Sequence, residues 1–271
     1  MTAESPALVA IEGARALYRG PALGLAPHRN AAATLALALD APLTLRLAGP
    51  SRELGAPRAM GATLIPPGRR HHLLASGEIV FLYLDALSDD LPRLATADLE
   101  GLRAGLLAQP RARLRGWGVR EWRAALGIRN APPPDPRVAA VAAQIDAAPD
   151  AFARLADAAR AAGLSPSRFQ ALFRAALGVP FRRYRLWRRL AHAIALAGAG
   201  ADLTRAAMEA GFASSAHFSA QFRAMFGLAP SRLLALGPWV RVAAPEGAAA
   251  LVIGAAQAPA PAPPPPRRTA P

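Results

Sequence analysis

The sequence predicts an α+β protein in two unlike parts. An N-terminal region of short strands carries a helical extension, and a C-terminal all-α region carries two helix-turn-helix motifs joined by a long helix. Three observations lead there. Residues 8 to 92 break into short apolar runs separated by Gly and Pro, as strands between turns do. APPPDP (131–136) then interrupts every pattern and reads as a semi-rigid linker. Beyond it one pattern is written twice, GLSPSRFQALFRAALG (163–178) and FASSAHFSAQFRAMFG (212–227).

In the N-terminal part the clearest strands are Leu35 to Leu39, Leu43 to Leu47, Ala62 to Ile65 and Ile79 to Leu84. From residue 93 to 130 the spacing turns helical, with Leu94, Leu99, Leu102, Leu106, Leu114, Trp117, Trp122 and Leu126 as its apolar positions. Within it RARLRG (111–116) reads as a solvated turn.

The C-terminal domain, 135–237, opens with an Asp cap and a first-turn Pro, then Val138, Val141 and Ile145 at helical spacing. At an offset of 49 residues Ser165 meets Ser214, Phe169 meets Phe218, Phe173 meets Phe222, Arg174 meets Arg223 and Gly178 meets Gly227. Each serine suits an N-cap and each glycine the left-handed residue that ends a helix. One side of each helix is apolar (Phe169, Leu172, Phe173; Phe218, Phe222, Met225). The other is small or hydrogen-bonding, a surface that suits a groove rather than open solvent. LADAARAAG (155–163) and LTRAAMEAG (203–211) supply the preceding helix of each motif. The helix from about Pro180 to Ala199 holds the motifs apart, with Phe181, Tyr184, Trp187, Leu190, Ala191 and Ile194 on one stripe and five arginines around the rest. Residues 238–271 end in PAPAPPPPRRTAP and read as a disordered tail.

Net charge is +14, and all 32 basic residues are arginine. Between Arg160 and Arg232 there are 11 arginines against Asp202 and Glu209, whereas residues 1–130 hold 16 against 11 acids. The surplus is concentrated on the paired motif, as phosphate neutralisation requires. No cysteine is present, which excludes disulfides, thiol nucleophiles and cysteine-ligated zinc. The first residues, MTAESPALVAIEGARAL, are acidic before they are apolar and do not read as a signal peptide. No apolar run approaches the roughly 20 residues that span a bilayer. A cytoplasmic protein with no membrane partner is expected.

From Asp135 to Leu236 these residues resemble the DNA-binding domain of the AraC/XylS family of bacterial transcription regulators. Ala207 to Phe212 (A-x-x-x-G-F), Ser214, Phe218, Phe222 and Phe226 to Pro230 (F-G-x-x-P) carry the likeness, with Tyr184, Arg189, Leu190, Ala193 and Leu196 in the long helix. Ala206, Ala216 and Leu233 depart from the family's usual isoleucine, serine and tyrosine. The resemblance implies two reader helices in successive major grooves, about 34 Å apart. The positions matching the family's base readers are Ser167, Gln170 and Ala171, then Ser215, Ala216 and Ala220. Arg168, Arg174, His217 and Arg223 flank them and suit phosphate, or for Arg168 a guanine edge. Double-stranded DNA is the implied partner, and RNA polymerase is a further candidate.

GATLIPPGRRHHL (61–73) resembles the second motif of cupins, and the family's sensor domains are often cupin-like. A cupin-like β-barrel over 1–92, sensing a small-molecule effector, is therefore expected. The resemblance also implies that the 93–130 extension forms a homodimer; packing on its own barrel is the alternative, and both stay open. His28 and His71 are the candidate effector contacts, or else structural turn histidines, and His72 points to the other face of an extended strand. Around His28 the cupin His-x-His and Glu are missing, and a metal site needs three or four ligands. No metal, no cofactor and no catalytic residue is expected. A cupin-type enzyme fused to a DNA-binding domain lacks its ligands here. A non-specific architectural DNA binder fits the charge but not the paired, capped helices.

Overall fold

The computed structural model describes residues 7–129, 135–237, 239–243 and 251–253. The strands before the first helix are β1 (Leu8–Glu12), β2 (Arg15–Pro21), β3 (His28–Arg29), β4 (Thr34–Ala38), β5 (Leu43–Leu47), β6 (Arg58–Met60), β7 (Ala62–Ile65), β8 (Arg70–Leu74) and β9 (Glu78–Tyr83). The helical extension is α1 (Asp90–Ala95), α2 (Leu99–Leu107), α3 (Arg111–Gly116) and α4 (Val119–Ala125). The C-terminal helices are α5 (Pro136–Ala147), α6 (Leu155–Ala161), α7 (Pro166–Leu177), α8 (Phe181–Gly198), α9 (Leu203–Glu209), α10 (Ser215–Phe226) and α11 (Pro230–Leu234). Two strands follow, β10 (Trp239–Ala243) and β11 (Leu251–Ile253).

Alternation along the strands decides the layering. Successive side chains of a strand point to opposite faces. Leu8, Ala10, Leu17, Leu35, Leu37, Val80 and Leu82 thus share a buried cluster with Leu94, Leu106, Leu114 and Trp122 of the extension. Their neighbours Val9, Ile11, Tyr18, Ala36, Ile79 and Phe81 join Leu43, Leu45 and Leu73 of the second sheet and the C-terminal helices. In the large sheet, β11-β10-β1-β2-β9-β4-β7, the strands β1, β2, β9, β4 and β7 are therefore covered on both faces. The extension packs on its own sheet through Leu94, Leu106, Leu114 and Trp122, and the bidentate pair of Arg15 with the buried Asp90 (2.7 and 2.9 Å) ties α1 to β2.

Three expectations change. The closed barrel is replaced by two facing open sheets, the second in the order β3-β8-β5-β6. Its edge strands explain this: β3 has only two residues, and β6 is exposed at Arg58 and Ala59, so neither presents enough protected backbone to close the ring. RARLRG is not a solvated turn but helix α3, held by the fully buried Leu114. Within the supposed tail, Trp239–Ala243 pairs in parallel with β1 over five residues, and β11 pairs with β10. WVRVA has strand chemistry that the surrounding Ala and Pro mask. The rest of the tail, and the linker apart from Asp135 and Pro136, lie outside the described residues.

The C-terminal helices follow their sequence signals. The Asp135 carboxylate accepts from the Arg137 and Val138 amides, Pro136 starts α5, and Val138, Val141 and Ile145 are buried. The α8 stripe from Phe181 to Ile194 is buried as its spacing requires. α8 and α10 close on the sheets: Tyr83 of β9 meets Trp187 at 5.1 Å and Phe226 at 5.9 Å between ring centroids.

Candidate nucleic-acid interface

Each reader helix is built by its own local chemistry. The Ser165 hydroxyl accepts from the Arg168 amide at 3.4 Å, and Ser214 does the same for the His217 amide at 3.1 Å. At the far ends Gly178 (φ 71°) and Gly227 (φ 79°) take the left-handed conformation, and their amides donate to Arg174 and Arg223 at 2.9 and 2.8 Å. Phe169 and Phe173 in α7, and Phe218, Phe222 and Met225 in α10, are buried. The opposite faces are then necessarily outward.

The two motifs are close copies with one difference. In the first turn Gly163 and Leu164 donate to Arg160 and Ala159; in the second Gly211 and Phe212 donate to Met208 and Ala207. Those bonds correspond at an offset of 48, whereas the caps correspond at 49, so Ala213 is an extra residue in the second turn.

Ser167, Arg168, Gln170, Ala171 and Arg174 are all exposed on α7. On α10 Ala216, His217, Ala220 and Arg223 line the outer side, with Ser215 half-buried at its start. The sequence-named positions of each helix thus share one outer face. Among the described residues Arg168, Arg174 and Arg223 have no acidic partner, so their guanidinium groups are available to phosphate. His217 is edged against Phe212, with ring centroids 5.6 Å apart.

The arginines of α8 divide differently from what composition suggests. Arg188 pairs with Asp146 at 2.6 Å, Arg185 donates to the carbonyls of Asp150, Ala151 and Ala153, and Arg183 donates to the Arg29 carbonyl. Arg189 donates to Ala210 and Gly211 and lies over the Phe212 ring. Only Arg182 of the five is exposed. The sequence favours a solvated or intramolecularly paired role over phosphate contact for any single one of these arginines, and Arg189 takes a paired one.

His28 and His71 face each other across β3 and β8, ring centroids 4.2 Å apart, both almost fully buried. Each Nδ1 bonds the carbonyl two residues earlier, Ala26 at 2.8 Å and Arg69 at 3.0 Å. Burial pushes the His28 imidazole down to about 3, with the neighbouring His71 adding to it, and burial lowers His71 as well. Both rings are therefore neutral at ordinary pH. Among the described residues no three His, Asp or Glu side chains gather as a metal site. A small apolar cavity of about 60 Å³ lies elsewhere, where Val9, Ile11 and Tyr83 of the large sheet meet Trp187, Ile194 and Phe226. No described helix is long and apolar enough to cross a membrane.

Comparison with known proteins agrees with this geometry. Residues 158–235 match the family model described as a helix-turn-helix domain. ToxT from Vibrio cholerae shares the fold, at TM-score 0.54 and 14% identity, over 82% of this chain and 97% of that one. So does ToxT of strain O395 bound to (E)-4-(8-methylnaphthalen-1-yl)but-3-enoic acid, at TM-score 0.53 and 14% identity, over 86% and 99%. ToxT of strain SCE256 bound to an unsaturated fatty acid aligns at TM-score 0.50 and 12% identity, over 87% and 98%. No curated protein matches the sequence. An N-terminal two-sheet domain is thus followed by a helix-turn-helix domain, a motif that sets a recognition helix in a groove of DNA.

Proposed function

We propose that this regulator reads a specific operator through α7 and α10 and that a small molecule acting on the N-terminal domain controls it. The observation that carries this is the pair of capped helices whose outer faces hold Ser167, Arg168, Gln170, Ala171 and Arg174, then Ser215, Ala216, His217, Ala220 and Arg223. Gln170 and Arg168 are the base-reading candidates, since each can make two hydrogen bonds to one base edge. Arg174 and Arg223 serve phosphate. Ala171, Ala216 and Ala220 offer at most an apolar surface to a thymine methyl.

The effector is proposed to be small and largely apolar. The ToxT structures bound to a fatty acid and to a naphthalenyl butenoic acid support an effector of that kind. So does the apolar cavity on the seam between sheet and helices, although it must widen to admit such a molecule. Effector binding at His28 and His71 likewise requires the seam to open, because both rings are buried and both Nδ1 atoms are engaged. The sensor is read as non-enzymatic, and the protein as cytoplasmic. A homodimer, through the outward side of the 93–130 extension, and RNA polymerase complete the proposed partners.

Selection of random duplexes by the whole protein tests this. A motif with two half-sites about 10 base pairs apart is expected; recovery of no motif would favour an architectural binder instead.

A further inference from the structure

Gly178 and Gly227 hold the same place in the duplicated pattern, and both touch the N-terminal domain. A Cβ built on Gly178 would lie 2.7 Å from Cγ of Pro67. One built on Gly227 would overlap the Ala26 carbonyl oxygen and lie 2.7 Å from Nδ1 of His28. The Ala26 amide also donates to the Gly227 carbonyl at 2.8 Å. The left-handed cap already favours glycine at both positions, and here the missing side chain is used a second time, to let the Pro67 ring approach Gly178 and the Ala26 backbone approach Gly227.

The two points of approach belong to one small, stiff piece of structure. Ala26 leads into β3 and Pro67 leads into β8, and these strands pair as His28 with His71 and Arg29 with Arg70. The Gly68 amide donates to the Asn30 carbonyl at 2.8 Å, closing the other end. Each imidazole fixes its own approach loop by bonding the carbonyl two residues back, and the rings meet edge to face. Arg183 of α8 donates to the Arg29 carbonyl between the two caps.

We infer that this β3–β8 edge is a jig that sets the position of the two reader helices relative to one another, with Ala26, His28 and Pro67 as positioning residues for operator recognition. α8 joins α7 to α9 through the turns Gly178 to Pro180 and Ala199 to Asp202, and it packs on α7 through Phe181 and Tyr184 and on α10 through Trp187. The sensor adds a second bridge across both C-terminal caps, at the far ends of the readers from their N-caps. Half-site spacing on DNA is a geometric property of the protein. A sensor that grips both caps therefore decides which spacing is bound, and a displacement of one strand pair would reach both readers together. This rests on the reading of α7 and α10 as the DNA readers.

The test uses the whole chain and two measurements. The natural sequence has no cysteine, so Ala175→Cys with Ala224→Cys places one spin label on the exposed side of each reader helix. Their separation is measured with and without Pro67→Ala, and with and without His28→Ala, after circular dichroism confirms that each variant is folded. A narrow distance distribution that broadens or shifts in Pro67→Ala is expected; His28→Ala should do the same. Unchanged distributions in both folded variants would overturn the inference, whatever the DNA result. Binding to a two-half-site operator is then compared with binding to versions carrying one base pair more or fewer between the half-sites. The parent protein should reject altered spacing, and Pro67→Ala should lose most of that preference while still binding a single half-site as well as before. Retention of the full spacing preference by Pro67→Ala also overturns it. If the parent shows no sequence preference at all, the reader assignment fails instead, and the label distances tell the two failures apart.

Discussion

The Arg189 guanidinium lies 4.4 Å over the centroid of the Phe212 ring, and its Nε donates to the Ala210 carbonyl at 2.9 Å. One side chain of α8 thereby holds the glycine turn between α9 and α10. Removing it strands partly buried carbonyl groups and uncovers an aromatic face. Arg189→Ala should lower stability by about 1 to 3 kcal/mol in a urea titration. Arg189→Lys should recover little, because a point charge cannot stack and donate in a fixed fork at once. Full recovery by lysine would show that only charge matters there.

Acid should loosen the seam before the carboxylates titrate. His28 is held neutral down to about 3, and His71 is shifted in the same direction, while an unfolded histidine takes its proton near 6.5. Between those values the unfolded chain binds more protons than the folded one, so stability falls as pH falls. Full stability is present above about pH 6.5, and His28 contributes a slope of about 1.4 kcal/mol per pH unit below it, with His71 acting in the same direction. Urea midpoints from pH 7 to 5 measure this. His28→Gln should flatten the dependence, and an unaltered slope in that variant would contradict the burial argument.

The paired motif was legible because its signals are local. A serine cap, a phenylalanine stripe and a left-handed glycine each act within one helix, and they recur at Ser165 and Ser214, Phe169 and Phe218, Gly178 and Gly227. What stayed hidden depends on distant partners. Nothing near Leu35 says that its face meets Trp122 while that of Ala36 meets the C-terminal helices. Trp239 to Ala243 is a strand only because β1 lies beside it. Which carbonyls Arg185 and Arg189 meet, and that Arg188 meets Asp146, is set by the fold and not by the pattern of the helix. His28 and His71 are neighbours in one strand pair, which no spacing between them could show.

The fragment from Asp135 to Gly237 contains the caps of both reader helices and both aromatic stripes, yet Trp187 and Phe226 pack on Tyr83 of the sensor. It should keep its helical circular dichroism and bind DNA, while exposing an apolar face that binds a hydrophobic dye more strongly than the whole chain does. A fragment without helical signal would mean that the sensor is part of the folding unit.

Specificity should lean on the first reader, because α7 offers Ser167, Arg168 and Gln170 where α10 offers Ala216 and Ala220. The most direct measurement is the affinity of Gln170→Ala, Arg168→Ala and Arg223→Ala for operator and scrambled DNA across a salt series. Removing the paired hydrogen bonds that Gln170 or Arg168 makes to a base edge should cost about 1 to 3 kcal/mol on the operator and relax preference in one half-site. Arg223→Ala should weaken binding to every sequence alike and flatten the salt dependence by about one unit of slope. Equal losses on operator and scrambled DNA for both Gln170→Ala and Arg168→Ala would contradict the assignment of α7 as the main reader.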